Sequence, residues 1–200
     1  SGKRVLIRVD FNVPLDENFN IIDDSRIRAA LPTIKKVIQN SGRAIIISHL
    51  GRPKNGFEKR FSLKNLVKNL SDLLEAPVGF SDDCIGKNTS TDIRNMKNGD
   101  ILVLENLRFY AEEELGDATF AKQLASLADI YVNDAFGAAH REHASTSIIA
   151  NYFPNNKCFG LLLSSEISNL KTALEKPKRP FTAIIGGAKI TGKIDVITSL

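Results

Sequence analysis

The chain has 200 residues, 42% of them hydrophobic and 25% charged, enough for one packed domain with room for part of another. No apolar run approaches the roughly 18 residues of a bilayer span, and the lysines (Lys35, Lys36, Lys54, Lys59, Lys64, Lys68, Lys87, Lys97) are dispersed rather than gathered into the basic stripe that nucleic acid requires. A net charge of +4 and a pI near 9.1 are equally well explained by a small anionic ligand. Cys84 and Cys158 make no disulfide framework and are expected as reduced thiols of a cytoplasmic protein. The opening SGKRVLIRVD enters a strand almost at once, so no leader peptide is expected.

Residues 5–9 (VLIRV) read as the first strand, running into Asp10-Phe11-Asn12-Val13-Pro14, with 15–23 as an exposed connection. Ile27, Ala30, Leu31, Ile34, Val37 and Ile38 then recur at helical spacing behind an N-cap at Asp24 or Ser25. Pro32 is expected to kink or restart that helix, and Ser41-Gly42 to stop it. Residues 44–47 form a β-branched run without alternation, the pattern of a strand buried on both faces of a parallel sheet. It ends at a polar tip, Ser48-His49-Leu50-Gly51-Arg52-Pro53.

A charged loop at 55–60 leads to a helix capped by Ser62, with Leu63, Leu66, Val67, Leu70, Leu73 and Leu74 on one face. Residues 77–80 fit a short strand, and 86–96 a short helix or irregular connection. After the turn Asn98-Gly99-Asp100, residues 101–104 (ILVL) read as a buried strand ending in Glu105-Asn106-Leu107-Arg108-Phe109. The acidic segment 112–114 precedes a helix capped by Asp117, with Phe120, Leu124, Leu127 and Ala128 facing inward. Residues 130–132 form another strand, ending in Asn133-Asp134-Ala135-Phe136-Gly137. Small residues then lead through His140-Arg141-Glu142-His143 to a helix toward Ala150. A further apolar run follows at 158–163, and a helix from Ser164 or Ser165 carries Ile167, Leu170 and Leu174. Lys176-Pro177-Lys178-Arg179-Pro180 reads as a boundary before a fresh strand at 181–185 and the turn Gly186-Gly187-Ala188-Lys189.

Strands and helices alternating over short connections predict an α/β fold, a doubly wound, mostly parallel, Rossmann-like sheet with helices on both faces. The predicted organisation is a first domain over 1–163, an inter-domain helix and hinge over 164–180, and the truncated start of a second α/β domain over 181–200.

In such a sheet the strand ends converge at one edge, where open α/β proteins bind ligands. Asp10 and Asn12 follow the first strand, His49 and Arg52 the second confident one, Arg108 the next, and Arg141 lies shortly beyond Asp134. Three arginines and a histidine suit a doubly charged group such as a phosphate monoester, while Asp10 and Asn12 face hydroxyls of the same ligand. The duller alternative for Arg108 is a pair with Glu105 or Glu112. His140 and His143 stand at helical i, i+3 spacing but have no third ligand, so they are expected to pack around Arg141 rather than hold a metal. Gly187 to Lys193, GAKITGK, nearly satisfies the phosphate-loop pattern, but Ile194 stands where a hydroxyl should hold magnesium.

RVDFNVP, DDSRIRAALPTI, SHLGRP, ENLRF, YVNDAFGAAHREH and IIGGAK, in this order and along essentially the whole chain, resemble the phosphoglycerate kinase family. The resemblance implies phosphoryl transfer between 1,3-bisphosphoglycerate and ADP, giving 3-phosphoglycerate and ATP, with this chain supplying the 3-phosphoglycerate-binding lobe and inactive alone. It places substrate contacts at Asp10, Phe11, Asn12, Arg26, His49, Leu50, Gly51, Arg52, Arg108 and Arg141. Nucleotide contacts fall at Gly186, Gly187, Lys189 and Lys193, and catalytic roles at Arg26, Lys189 and Lys193. Gly192 departs from the family, which often has Asp or another polar residue there. Mg2+ is implied with ATP or ADP, its ligand expected outside this chain, and a monomer with no nucleic-acid or membrane partner is expected. The alternatives are a non-catalytic anion-binding module and a phosphate-loop NTPase fragment built around Lys193.

Overall fold

Six short strands, β1 (Arg4–Val9), β2 (Arg43–Ile47), β3 (Val78–Phe80), β4 (Ile101–Val103), β5 (Ile130–Asp134) and β6 (Lys157–Phe159), form one sheet in the order β3-β4-β2-β1-β5-β6. Every pairing is parallel, so each strand must be reached by a crossover. Helices α1 (Ser25–Gln39), α2 (Lys64–Leu74), α3 (Lys87–Asn95), α4 (Ala111–Leu115) and α5 (Ala118–Ala125) lie in those crossovers, and α6 (Leu161–Glu175) follows β6. This computed structural model describes residues 2–54, 56–175, 180, 182 and 184. The chain divides into two compact units, Ser1–Ser164 and Ser165–Leu200.

Alternation along each strand separates two cores. Val5, Ile7 and Val9 of β1, Ala44 and Ile46 of β2 and Val103 of β4 pack with Ile27, Ala30 and Ile34 of α1 and Leu66 and Leu70 of α2. Leu6, Ile45, Ile47 and Leu102 point the other way, onto Ile93 of α3 and Phe120, Ala121 and Leu124 of α5. The sheet is therefore doubly wound, with helices on both faces. That burial on both sides is why residues 44–47 show no alternation in sequence.

Local details depart from the sequence expectations for tertiary reasons. Helix α1 runs unbroken over Ser25–Gln39 with Pro32 inside it; Pro32 is exposed, and burial of Ile27, Ala30, Thr33 and Ile34 holds the helix across the missing N–H. Asp24 occupies the N-cap position without capping, its carboxylate accepting instead from Arg28 Nε at 2.8 Å. The N-cap position of α2 falls to Leu63 rather than Ser62, although Ser62 Oγ accepts from the Lys64 amide at 3.2 Å, while Asp117 caps α5 as expected, accepting from the Phe120 amide at 2.7 Å. The acidic residues 112–114 precede α5 as expected but themselves form part of the short helix α4, and Glu113 is 1% exposed. No α-helix leads toward Ala150: residues 136–138 and 148–152 form 3-10 turns. There Thr146 Oγ1 donates to the Arg141 carbonyl at 2.7 Å and the Tyr131 hydroxyl to the Ser145 carbonyl at 2.7 Å, occupying acceptors a helix would need.

The helix expected from Ser164 or Ser165 starts earlier, at Leu161. Its first amides are taken by remote side chains, Leu161 N–H by Thr33 Oγ1 at 2.9 Å and Leu163 N–H by Asp134 Oδ1 at 3.1 Å. Beyond Glu175 only residues 180, 182 and 184 are described, so the predicted boundary, the strand at 181–185 and the nucleotide-side residues Gly186, Gly187, Lys189 and Lys193 lie outside the described residues.

The base of β1 is clamped to the turn before β5 by Asp129, which accepts from Arg4 through its amide at 2.8 Å, Nε at 3.3 Å and Nη2 at 2.7 Å. The hydrogen bonds from Arg4 hold the Asp129 carboxyl down at about 2. A carboxyl depressed on folding contributes stability that is complete above its unfolded value near 3.9 and is lost as pH falls through the folded one. The urea midpoint of Asp129→Asn should therefore lie below that of the parent chain at about pH 6 and converge on it as pH approaches about 2.5. A gap that stays constant with pH removes the ion pair as its cause.

Candidate functional site

The crossovers that leave β1 and β2 pass through α1 and α2 on one face of the sheet, whereas those leaving β3 and β4 pass through α3 and α5 on the other. Neighbouring strands β2 and β4 thus send their chains to opposite sides, which opens a crevice at their carboxyl ends. A cavity of about 160 Å³ lies there. The four central strands and α1 all line it. Arg8, Asp10 and Asn12 come from the end of β1, His49 from β2, Arg108 from beyond β4, Gly137, Ala138, Arg141 and His143 from beyond β5, and Arg26 from α1.

The tips of β1 and β2 are tied together. Ser48 Oγ accepts from the Phe11 amide and donates to the Val9 carbonyl, both at 2.9 Å, and Asn12 Oδ1 accepts from the Gly51 amide at 2.8 Å. Gly51 sits at φ +62 with the Phe61 ring 2.3 Å from where a Cβ would stand, so only glycine fits this turn. Its carbonyl accepts from Arg108 Nη1 at 2.6 Å. Asn106, fully buried, organises the opposite wall. Its side-chain amide donates to the carbonyls of Leu50 (2.7 Å) and Phe61 (2.9 Å), and its oxygen accepts from the amides of Leu50 (3.2 Å) and Arg108 (3.0 Å).

Of the residues singled out from the sequence, Asp10, Asn12, Arg26, His49, Arg108 and Arg141 meet in this cavity. Phe11 and Leu50 are instead core side chains, 1% and 2% exposed; alternation turns them inward while their neighbours face the cavity. Gly51 contributes backbone. Arg52 is exposed and does not line the cavity, although its charge is among those felt by Arg108. Arg108 pairs with neither Glu105 nor Glu112 but with Glu114, at 3.2 Å. Glu105 is occupied by the Ser62 hydroxyl at 2.6 Å and the Leu63 amide at 2.8 Å. His143 lines the cavity while His140 is exposed, so the two do not share a site.

Sequence reasoning missed Arg8, which lines the cavity at 1% exposure. A lone arginine inside the apolar run VLIRV was the available signal, since a strand buried on both faces admits a charge only with partners. It also left Asn106 without a role.

The electrostatics are lopsided. Four guanidiniums, Arg8, Arg26, Arg108 and Arg141, face the single carboxylate of Asp10, which pairs with Arg26. Burial lowers the pKa of Arg108 against the pull of Glu114, and Arg141, Arg52 and Arg8 add to the lowering; the group remains a cation. Its Nε is buried with no partner. His49 is pushed down to about 2, by burial first and then by the charges of Arg8, Arg108, Arg141 and His143, and is therefore neutral. His143 is also lowered, chiefly by burial. An unpartnered buried donor and surplus positive charge fit an anion of more than one charge. Among the described residues no group of three or more His, Cys, Asp or Glu side chains could hold a metal ion, and Asp10, the one carboxylate lining the cavity, is paired with Arg26.

A cationic crevice over the carboxyl edge of a doubly wound sheet places the chain among open α/β proteins with a cleft at the strand ends. The family model for phosphoglycerate kinase matches residues 1–200. The chain is 56% identical over 199 residues to a phosphoglycerate kinase of Chlorobium chlorochromatii, covering 100% of this chain and 50% of the relative. Against that of Dictyoglomus turgidum it is 56% identical, again over its whole length and 49% of the relative. Among solved structures, the phosphoglycerate kinase of Coxiella burnetii superposes with a TM-score of 0.85 at 42% identity, over 98% of this chain and 49% of that one. That of Pyrococcus horikoshii gives 0.86 at 33% identity over the same shares. The chain belongs to the phosphoglycerate kinase family, and it spans about half the length of the relatives it matches.

Asn106→Ala would strand four backbone groups around the cavity, and each buried group left unsatisfied costs roughly 1–3 kcal/mol. The variant should lose about 2–4 kcal/mol in urea unfolding, allowing for groups that recover water. A loss below about 0.5 kcal/mol contradicts the anchoring role of this side chain.

Proposed function

We propose that this chain supplies the phosphoglycerate-binding lobe of an enzyme that transfers a phosphoryl group between 1,3-bisphosphoglycerate and ADP, giving 3-phosphoglycerate and ATP. The observation that carries this reading is the meeting of Arg108, Arg141, His49 and Arg26 with Asp10 and Asn12 in one crevice; family membership supports it. Arg108, Arg141 and His49 grip the phosphate that stays on the glycerate, with Arg52 adding positive potential from the rim. Asp10 and Asn12 address its hydroxyl end, and the backbone of Phe11, Leu50 and Gly51 shapes the wall. Arg26, its side chain 52% exposed and paired with Asp10, stands where a partner ligand can reach it and stabilises the phosphoryl group in flight.

In the ATP-forming direction a nucleotide phosphate oxygen attacks the acyl phosphate; in reverse a substrate carboxylate attacks phosphorus. Neither nucleophile carries a proton near neutral pH, so the reaction asks for positioning and charge neutralisation rather than a general base. Gly186, Gly187, Lys189 and Lys193 are proposed for the nucleotide side, Lys189 and Lys193 assisting catalysis, and residues 164–180 as the inter-domain helix and hinge. ATP and ADP are the nucleotide partners. Magnesium accompanies them in this reading, held outside the residues described, and no step is routed through it. Among the described residues no helix is long and apolar enough to cross a membrane. A cytoplasmic setting is proposed, in keeping with two free cysteines, Cys84 buried and Cys158 exposed, and a monomer is proposed with it.

A hydrogen bond to a charged group contributes roughly 1.5–3 kcal/mol, so Arg108→Ala should weaken 3-phosphoglycerate binding about 10- to 100-fold in calorimetry. Arg26→Ala, placed in the complete enzyme, should lower kcat with little change in affinity. Unchanged binding in the first variant, or normal turnover with weakened binding in the second, removes that residue from its assigned role.

A further inference from the structure

Arg8 differs from the other guanidiniums of the crevice in what surrounds it. It extends the row of β1 that contains Leu6, so it points to the face of the sheet that also carries α5. Its Nε donates to Ser145 Oγ at 2.9 Å, its Nη1 donates to the Val9 carbonyl, and its Nη2 lies 3.1 Å from His49 Nδ1. Ser145 is itself fixed by Glu113, which accepts from the serine hydroxyl at 2.6 Å and from the serine amide at 3.0 Å. Glu113 and Arg8 are each 1% exposed, and Ser145 is fully buried. Carboxylate, hydroxyl, guanidinium and imidazole thus form one buried row. Each nitrogen of Arg8 has a partner, and Ser145 gives its proton to Glu113 while receiving one from Arg8.

A guanidinium has donors only. Its contact with His49 Nδ1 therefore needs a lone pair on that nitrogen, which leaves the ring proton on Nε2. An imidazolium, or the other neutral tautomer, would set an N–H of its own against that of Arg8. The Nε2 edge faces the Asp10 carboxylate, 3.9 Å from Oδ1, and both residues line the cavity.

We propose that Arg8 is a positioning residue, held by Glu113 through Ser145, that fixes His49 as the neutral, Nε2-protonated tautomer, so that the crevice offers its anionic ligand one uncharged donor of fixed orientation. The role assigned to the donor rests on the function proposed above; the tautomer does not. The groups facing His49 from the surrounding elements are Arg8 and Asp10 of the β1 end, Arg108 beyond β4, and Arg141 and His143 beyond β5. The cations among them, together with burial, oppose a second ring proton. The consequence is a phosphate grip whose strength does not rise on mild acidification, since its histidine takes up no proton there.

Two-bond 1H–15N spectroscopy of the histidine-labelled chain tests this directly, because only His49, His140 and His143 contribute and His49→Gln assigns the signal. His49 should show an unprotonated Nδ1 and a protonated Nε2, unchanged from about pH 5 to about pH 8. A protonated Nδ1, or a midpoint near the ordinary value of 6.5, overturns the proposal. Arg8→Met removes the donors and keeps the stem: tautomer mixing is expected, with a midpoint that rises into the window. Arg8→Lys, which retains a donor, should restore the parent pattern. If Arg8→Met keeps the single tautomer, Arg8 is not its cause. Should that variant fail to fold, Ser145→Ala removes the Nε acceptor while leaving the Arg8 charge; mixing is expected, and an unchanged spectrum overturns the proposal. Titration with 3-phosphoglycerate separates the two readings. The parent tautomer with no binding sinks the proposed function alone, and binding to an Nδ1-protonated ring sinks this inference alone.

Discussion

Repulsion among like charges is the constraint around which this molecule is built. Arg8, Arg26, Arg108 and Arg141 share one cavity of about 160 Å³, and Arg141, Arg52 and Arg8 all act to lower the pKa of Arg108. Nothing in the crevice cancels this fully. Asp10 is paired with Arg26 and Glu114 with Arg108, but the Glu114 side chain is 56% exposed, and an exposed partner offsets little. The cations are held together by the sheet beneath them. Parallel register places Arg8 of β1 opposite Ile47 of β2 and Asn133 of β5, and buried Asn106 and Ser48 lock the tips above. Folding free energy drawn from two apolar cores is thus stored as positive potential at one edge, where an anion relieves it.

The device differs from one arginine to the next. Arg108 is clamped by backbone, through the Gly51 carbonyl at 2.6 Å, and keeps a buried Nε without a partner. Arg8 is fixed by a neutral hydroxyl backed by a buried carboxylate. Arg26 reaches in from the start of α1 and rests on Asp10. Donor capacity is therefore graded, from Arg8, most of which is committed within the protein, to Arg26 at the exposed mouth.

The strand-end chemistry was legible in the sequence because a parallel sheet converts chain order into position: each buried run ended in polar residues, and parallel pairing carried those ends to one edge. Asp10, Asn12, His49, Arg108 and Arg141 were found by that reasoning, and Arg26 by family resemblance. What stayed hidden depends on partners far along the chain. Glu113 was placed only within an acidic segment ahead of a helix, yet it is buried against Ser145, 32 residues away. Helix α6 begins at Leu161 because Thr33, 128 residues earlier, accepts its first amide, whereas the local serines suggested a later start. Phe11 and Leu50 were grouped with the site by motif, but alternation sends their side chains to the core.

The same geometry bears on what the crevice does not do. Asp10, His49 and His143 are the groups lining it that a proton could reach. Asp10 is engaged by Arg26, and Nδ1 of His49 is engaged by Arg8. His143 Nδ1 stands 3.9 Å from Glu113, and burial lowers its pKa. A site that commits its bases and leaves donors free is arranged to hold negative charge rather than to move protons. The phosphoryl transfer proposed for the whole enzyme is chemistry of that kind: the attacking atom arrives already ionised, and fixed donors aimed at the charge that develops during transfer reduce the barrier without reorganising at the moment of reaction.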